Sequence, residues 1–418
     1  MIDPLAEASA GAAAQKGPRP AECQTLTIGS GGLIDVPPNE VAVIIVQLFN
    51  QTFEKVRKSL PRLHKLGITH VLISPPQKSH SSRSWWARYQ PVDFTCIEGP
   101  LGTLTQLKHL CHSAQSLGLA IVADTVIHHL SNEGQYLRTR GGRIEAAQYP
   151  RFSTPDFRGL HQLGKGRGLP ILNTDSPWVR AQLRDYIHGL FGLGVRGFRI
   201  DSAKHMDPEL FPYLFQGLPP VLVFGELVYA QPQDFPSAYF KSMRAYDFPL
   251  ARSIKSAFAP GGDLGQLVQQ PSLGGQHSIP FVNHHDLIKN RSAFDYFRVS
   301  DLRDRQLAYA YLLARPEGVP LIYGSDLSGR EVKAGLSFRR RAGGHPLEWV
   351  EAGRTVVAAR VGSAMALAIN KDGRPWHFHT RLRPGHYLDL VSQAHYWTQG
   401  EHLEMWLGPR SAALLVPG

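Results

Sequence analysis

The chain has 418 residues, 43% of them hydrophobic and 19% charged, with a formal net charge of +11. That length exceeds one small domain and suits a large α/β barrel with a smaller module, while no apolar run is long enough to span a bilayer. The basic charges are scattered, without a block interleaved with aromatics, so they read as a solvated surface rather than a nucleic-acid interface.

Residues 1–38, rich in Ala, Gly and Pro at their start, lack the basic start and apolar core of a secretory signal. They read as a flexible leader on a cytoplasmic protein, or on a secreted one if a signal has been trimmed away. Cys23, Cys96 and Cys111 are an odd, sparse set. They give no disulfide framework and no metal spacing, and are expected to be inert thiols.

Short apolar runs then alternate with helical stretches, the signature of a parallel sheet. The first run is Val41 to Phe49 and the second Ile68 to Ser74, separated by the amphipathic FEKVRKSLPRLHKLG, which Gly67 closes. The third, Leu119 to Val126, follows the helical TLTQLKHLCHSAQSLG. The fourth is Val195 to Ile200, the fifth Val221 to Phe224, the sixth Ala245 to Phe248, the seventh Ile279 to Val282 and the eighth Val319 to Tyr323. Eight such units predict a (β/α)₈ TIM barrel, with a first part over 39–129 and a second over 173–345. Between them, residues 130–172 break the helix–strand rhythm and read as a small inserted domain. Arg138, Arg140 and Arg143 within it read as a solvated face. Residues 346–418 carry strand-like runs joined by tight turns, Lys371-Asp372-Gly373 among them, and read as a C-terminal antiparallel β domain.

In a barrel, side chains at the C-terminal strand ends share one mouth. Run four ends in GFRID, placing Asp201; run five ends in FGE, placing Glu226; run seven is followed by NHHD, placing Asp286. Any one of these acids could merely cap a helix. Together they match glycosidic-bond cleavage, in which one carboxylate attacks and one carboxylic acid protonates the leaving oxygen. Arg199, two residues before Asp201, points the same way along the strand, where a fixed cation favours the ionised nucleophile. Glu226 lies among Phe224, Leu227 and Val228, an apolar setting that favours the protonated acid.

The segments ADTVIHH, GFRIDSAKH, FGE and FVNHHD resemble, in order and spacing, the four signature segments of the α-amylase family of retaining glycoside hydrolases. SWWARYQPVDF resembles the segment after the second barrel strand in animal-type members, and GLPILNTDSPWVR one before the fourth. The resemblance implies that Asp201 is the nucleophile, Glu226 the acid/base and Asp286 the residue that grips sugar hydroxyls in the transition state. It implies that Arg199, counted among the substrate-binding residues, orients Asp201, that His129 and His285 bond the sugar, and that Tyr89 and Trp86 stack on it with Gln90 nearby. Lys204 and His205 fall on the leaving-group side, the pattern of enzymes acting on α-1,4-glucans. Trp85 is expected in the core, and Asp124 in a structural hydrogen bond with Arg199.

Two departures concern ions. His128 and Ile171 stand where many members place Asn and Asp ligands for calcium, a hard cation that needs oxygen donors. Asn173 or Asp175 could rebuild such a site. His284 stands where chloride-activated members carry Asn, and GVPLIYG lacks a basic residue. The expectation is therefore no cofactor: calcium absent and chloride unused. The expected activity is endo-acting hydrolysis of α-1,4-glucosidic bonds in starch- or glycogen-type chains by a monomer. A 4-α-glucanotransferase using the same intermediate is the alternative. A glucan-binding scaffold that has lost catalysis is a more distant one.

Overall fold

The computed structural model describes residues 43–161 and 168–418; the leader expected over 1–38 lies outside them. Eight parallel strands appear in chain order: β1 (Ile45–Leu48), β2 (His70–Ile73), β3 (Ala120–Thr125), β4 (Val195–Ile200), β5 (Leu222–Gly225), β6 (Arg244–Tyr246), β7 (Ser278–Ile279) and β8 (Leu321–Tyr323). Each pairs with its sequence neighbour, β1 also pairs with β8, and a parallel bridge from Phe281 to Leu321 joins the last edge. The sheet thus closes into a barrel, the expected fold class.

Side-chain alternation sorts two cores. Val43, Ile45, Leu72, Val122, Phe224, Tyr246, Ile279, Phe281 and Leu321 fill the barrel axis. Their neighbours Ile44, Val46, Val71, Ile73, Ile121, Ala123, Phe198 and Ile200 face outward onto the helices. The helix Phe53–Lys65 buries Phe53, Val56, Leu60 and Leu63 there, and Thr52 caps its start by accepting from the Lys55 amide. The helix Leu104–Ser116 begins with a reciprocal capping box between Thr103 and Gln106.

The same alternation continues past the strand ends. Gln47 follows Ile45, Asp124 follows Val122, and Glu226 follows Phe224, so all three turn toward the axis. On β4 the outward Phe198 and Ile200 leave Arg199 and Asp201 inward.

After β3 the chain leaves the barrel. A hairpin of Leu137–Arg140 and Arg143–Tyr149 is followed by Phe157–His161 paired with Leu169–Leu172. Arg138, Arg140 and Arg143 are exposed, as expected. The returning strand is sewn to the barrel by the Leu130 amide on the Pro170 carbonyl and the Leu172 amide on the His128 carbonyl, each 3.0 Å.

The C-terminal segment forms a six-stranded sheet of Leu347–Ala352, Val356–Val361, Met365–Asn370, Ser411–Pro417, His386–Asp389 and His395–Trp397, in that spatial order. A ribbon of Trp376–Arg381 and His402–Leu407 packs Phe378, Leu403, Met405 and Leu407 onto its small residues Ala358, Ala366, Ala368 and Ala413. Lys371, in the turn seen in the sequence, donates to the carbonyls of Ala257, Ala259 and Gly262 at 2.6–3.0 Å, and so ties this sheet to a helix end of the barrel.

The cysteines correct an expectation. Cys111 is a free, buried thiol, but Cys96 is disulfide-bonded. Odd cysteine counts argue against a framework of bridges, yet they do not forbid a single one, which spacing alone cannot reveal. Among the described residues no helix is long and apolar enough to cross a membrane.

Candidate active site

The barrel ladder itself delivers the acids to the mouth. The Asp201 amide extends β4 by donating to the Thr125 carbonyl at 3.0 Å, and the Glu226 amide extends β5 by donating to the Ile200 carbonyl at 2.9 Å. Gly225 permits the close approach beside Glu226, because a Cβ there would meet Met243 Sδ at 2.7 Å and Ala203 Cβ at 2.9 Å. The loop after β4 therefore presses in. Ser202, at φ 50°, donates its amide to Glu226 Oε2 at 3.1 Å and its hydroxyl to Asp201 Oδ2 at 3.1 Å.

One guanidinium organises four carboxylates. Arg199 Nη1 lies 2.8 Å from Asp124 Oδ1 and 2.7 Å from Asp201 Oδ1, while Nη2 lies 3.0 Å from Glu226 Oε2 and 3.9 Å from Asp286 Oδ2. Arg199 is completely buried. That corrects its place among the substrate-binding residues: it does not reach the cavity and acts only through the acids around it. Four carboxylates exceed what one cation can balance. Burial pushes Asp124, Glu226 and Asp286 each up to about 7, with Arg199 opposing. Asp124 takes the structural role read from the sequence, accepting from Arg199 and, at 2.7 Å, from the Tyr89 hydroxyl.

Asp286 is held from the other side. Gln47 Nε2 donates to His285 Nδ1 at 2.8 Å and Gln47 Oε1 accepts the His285 amide at 3.0 Å. With Nδ1 accepting, His285 carries its proton on Nε2, which faces Asp286 Oδ2 at 3.2 Å. The His285 ring is sandwiched between Phe49 at 4.7 Å and Tyr89 at 5.2 Å, both nearly parallel to it. Burial keeps it neutral by lowering its pKa well below the usual imidazole value.

These groups open onto a cavity of about 490 Å³ lined by Trp85, Trp86, Tyr89, Gln90, His129, Lys204, His205, His285 and the three acids Asp201, Glu226 and Asp286. Every residue read from the sequence as touching substrate is therefore on this wall, Arg199 excepted. Trp85, expected in the core, lines the cavity too, meeting Tyr89 edge-on and Phe49 at a tilt. The tandem Trp-Trp lies on a short 3₁₀ turn, Trp85–Tyr89, whose threefold period does not hide one ring behind the other. Lys204 is anchored to the Val228 carbonyl at 3.0 Å, with its ammonium 4.3 Å over the Tyr229 ring. Gln47 and Phe49 escaped the sequence reading, though inward parity at the end of β1 would have found Gln47. His161, Asn290 and Phe294 also line the cavity. They lie on the inserted strand and the segment after β7, where no strand-end rule points to them.

Residues 52–158 match the family model described as alpha amylase, catalytic domain. An α-amylase of Aeromonas hydrophila is 30% identical over 404 residues, covering 80% of this chain and 86% of the relative. The chain belongs to the α-amylase family. It is a glycoside hydrolase of that type. An α-amylase of Streptomyces violaceus is 29% identical over 413 residues, covering 85% of this chain and 70% of the relative. In fold, the crystal structure of α-amylase I from Eisenia fetida superposes with a TM-score of 0.79 at 20% identity, covering 90% of this chain and 97% of that one. An α-amylase of Malbranchea cinnamomea gives 0.73 at 16% identity, covering 92% and 98%.

Where the inserted segment meets the barrel, the side chains at the departures are an imidazole and a hydrocarbon. His128 is buried, Ile171 is half-buried, and Ile171 bridges His129 through the backbone. Asp175 points to solvent and pairs with Arg158 at 3.6 Å. His284, fully buried, stacks on Tyr246 at 5.1 Å and uses Nδ1 to accept the Asp286 amide at 3.4 Å.

Proposed function

We propose that this α-amylase-type hydrolase cleaves α-1,4-glucosidic bonds within starch- or glycogen-type chains with retention of configuration. Asp201 attacks the anomeric carbon and forms a glycosyl-enzyme ester. Glu226 protonates the departing oxygen, then takes a proton from the water that opens the ester. Asp286, held by His285 and by the Asp286–His284 cap, bonds the sugar hydroxyls whose acidity grows as positive charge develops on the ring. The observation that carries this reading is the convergence of Asp201 and Glu226 on the two nitrogens of one buried guanidinium. That arrangement favours a short carboxyl separation, and retaining enzymes keep theirs at about 5–5.5 Å. The raised pKa of Glu226 supports its role as proton donor near neutrality.

Trp86 and Tyr89 offer aromatic faces to the sugars, with His129 and Gln90 beside them on the cavity wall. His129 Nε2 is given to the Tyr89 carbonyl at 2.9 Å and its Nδ1 faces His128 Nδ1 at 3.2 Å, so the ring meets the sugar through its carbon edge. A transferase acting through the same ester differs only in the acceptor that enters after the leaving chain.

The oxygen-poor surroundings of His128 and Ile171 do not suit calcium. We place no calcium there, and no chloride at His284, whose Nδ1 is committed to the Asp286 amide. The enzyme is taken to act as a monomer. Of the two compartments read from the sequence, cytoplasm or secretion after loss of a signal, the disulfide at Cys96 favours the oxidising one.

The test is proton NMR of the first products from maltooligosaccharides. The α anomer should accumulate before mutarotation, and early β anomer would sink the mechanism. Viscosity falling ahead of reducing-end release would support attack within chains.

A further inference from the structure

Beside the catalytic acids, three histidines from three separate elements meet, His161 and His205 on the cavity wall and His128 buried behind them. His128 follows β3, His161 ends the inserted strand Phe157–His161, and His205 lies in the loop after β4. Their ring centres are 5.5 Å apart for His128–His161, 5.7 Å for His128–His205 and 5.1 Å for His161–His205. With zinc–nitrogen bonds of about 2.0–2.1 Å, three imidazoles on a tetrahedral ion hold their ring centres roughly 5 Å apart. We propose that His128, His161 and His205 form a site for a borderline divalent transition metal, zinc foremost, that pins the inserted segment to the barrel.

The tautomers set the first ligand. The Tyr89 carbonyl can only accept, so His129 Nε2 carries a proton and its Nδ1 is a lone pair. His128 Nδ1 lies 3.2 Å from that lone pair and must donate to it. His128 Nε2 is therefore unprotonated, as a metal ligand requires, and the His129–Tyr89 chain behind it fixes the ring as an outer-shell partner does.

His161 and His205 take no side-chain hydrogen bond from the described residues, and both line the cavity, so no hydrogen bond among the described residues fixes the orientation of either ring. In the present orientations the three sets of nitrogens do not converge. A half-turn of an imidazole exchanges nitrogen for carbon positions with its ring centre little changed. Burial lowers all three pKa values, that of His128 to about 3, leaving lone pairs available at neutral pH. Of the charged groups facing the cluster, Arg158 and Lys204 oppose a cation, whereas Asp201 attracts one. The set offers nitrogen and no carboxylate, which selects zinc, copper or nickel over calcium or magnesium.

A second group, His284, His285 and Asp286, already brings three ligand atoms within 4.8 Å of one another. It belongs to the catalytic machinery, and His284 Nδ1 there is taken by a backbone amide.

The experiment is calorimetric titration of zinc chloride into the chelator-stripped, desalted full chain. One ion per chain is expected, with affinity lowered about tenfold or more in both H128Q and H161Q. Cobalt(II) should give the intense visible bands of a tetrahedral nitrogen site, lost in the same variants, with circular dichroism confirming that they fold. Unchanged zinc affinity in H161Q overturns the proposal. So does zinc binding that H284Q abolishes while H161Q leaves it intact, for the ion would then lie on Asp286.

Discussion

On the floor of the cavity four carboxylates press against one guanidinium; on its wall four imidazoles press against one another. Asp124, Asp201 and Asp286, like His128 and His129, are buried and Glu226 nearly so, while His161 and His205 are only partly covered, and burial acts on the two clusters with opposite sign. An acid loses its charge by gaining a proton, so burial raises Asp124, Glu226 and Asp286 to about 7. An imidazole loses its charge by shedding one, so burial lowers His128 to about 3 and His129, His161 and His205 below their usual value. Arg199 cannot follow that course, because its guanidinium stays protonated. The floor therefore keeps a fixed charge and the wall none. Asp201 reaches across, drawing His129, His161 and His205 toward the charged form. One cavity thus holds a proton donor and neutral imidazoles at the same pH because burial acts on acids and bases with opposite sign, with Arg199 opposing it on the acids.

The sharpest break in that comparison removes the floor's chemistry without its shape. Asp201→Asn keeps the Arg199 contact but cannot attack. Turnover of maltooligosaccharides should fall by roughly 10⁴-fold or more, the scale at which loss of a covalent nucleophile registers. Substantial turnover in a folded variant would remove Asp201 from its role.

Next comes the proton. Glu226 must be protonated to donate, and its pKa is raised to about 7. The proton is present below that value, so kcat/KM should fall as pH rises through about 7. The apparent midpoint belongs to the whole carboxylate cluster. Glu226→Gln should lose about 10²–10⁴-fold, and its residual pH profile should lack this limb. A limb that survives in the variant would assign the titration to another group.

A smaller effect belongs to the aromatic platform. Trp86→Ala should raise KM for maltooligosaccharides by roughly tenfold with little change in kcat, since it removes apolar contact shared by ground state and transition state. Equal KM in mutant and parent would place the ring outside the bound chain.

The smallest effect is expected from calcium. An ion bound at about 100 times its Kd contributes about 2.7 kcal/mol, which a melting curve registers as several degrees. Adding calcium to the chelator-treated chain should move Tm by less than about 2 °C. A rise of several degrees would show that other oxygens near Asn173 or Asp175 rebuild a hard-cation site.

The residue order determined a great deal by itself. Period-two apolar runs separated by amphipathic stretches dictate a parallel barrel, and a barrel dictates where strand-end residues point. Asp201, Glu226 and Asp286 were legible for that reason, as was Asp124 beside Arg199. Local rules failed where partners are remote in sequence. Gln47 meets His285 238 positions away, and nothing near either residue announces the other. Trp85 and Trp86 are indistinguishable by composition, and only the 3₁₀ turn sets both on the cavity wall. Arg199 reads as a substrate ligand on its strand; only closure of the barrel seals it behind four acids. The imidazole cluster joins the end of β3, the inserted strand and the loop after β4. Its existence depends on the excursion folding back onto the mouth. That step is decided by long-range packing, since the returning strand Leu169–Leu172 is bonded on one side to Phe157–His161 and on the other to the segment His128–Leu130, remote from it in the chain.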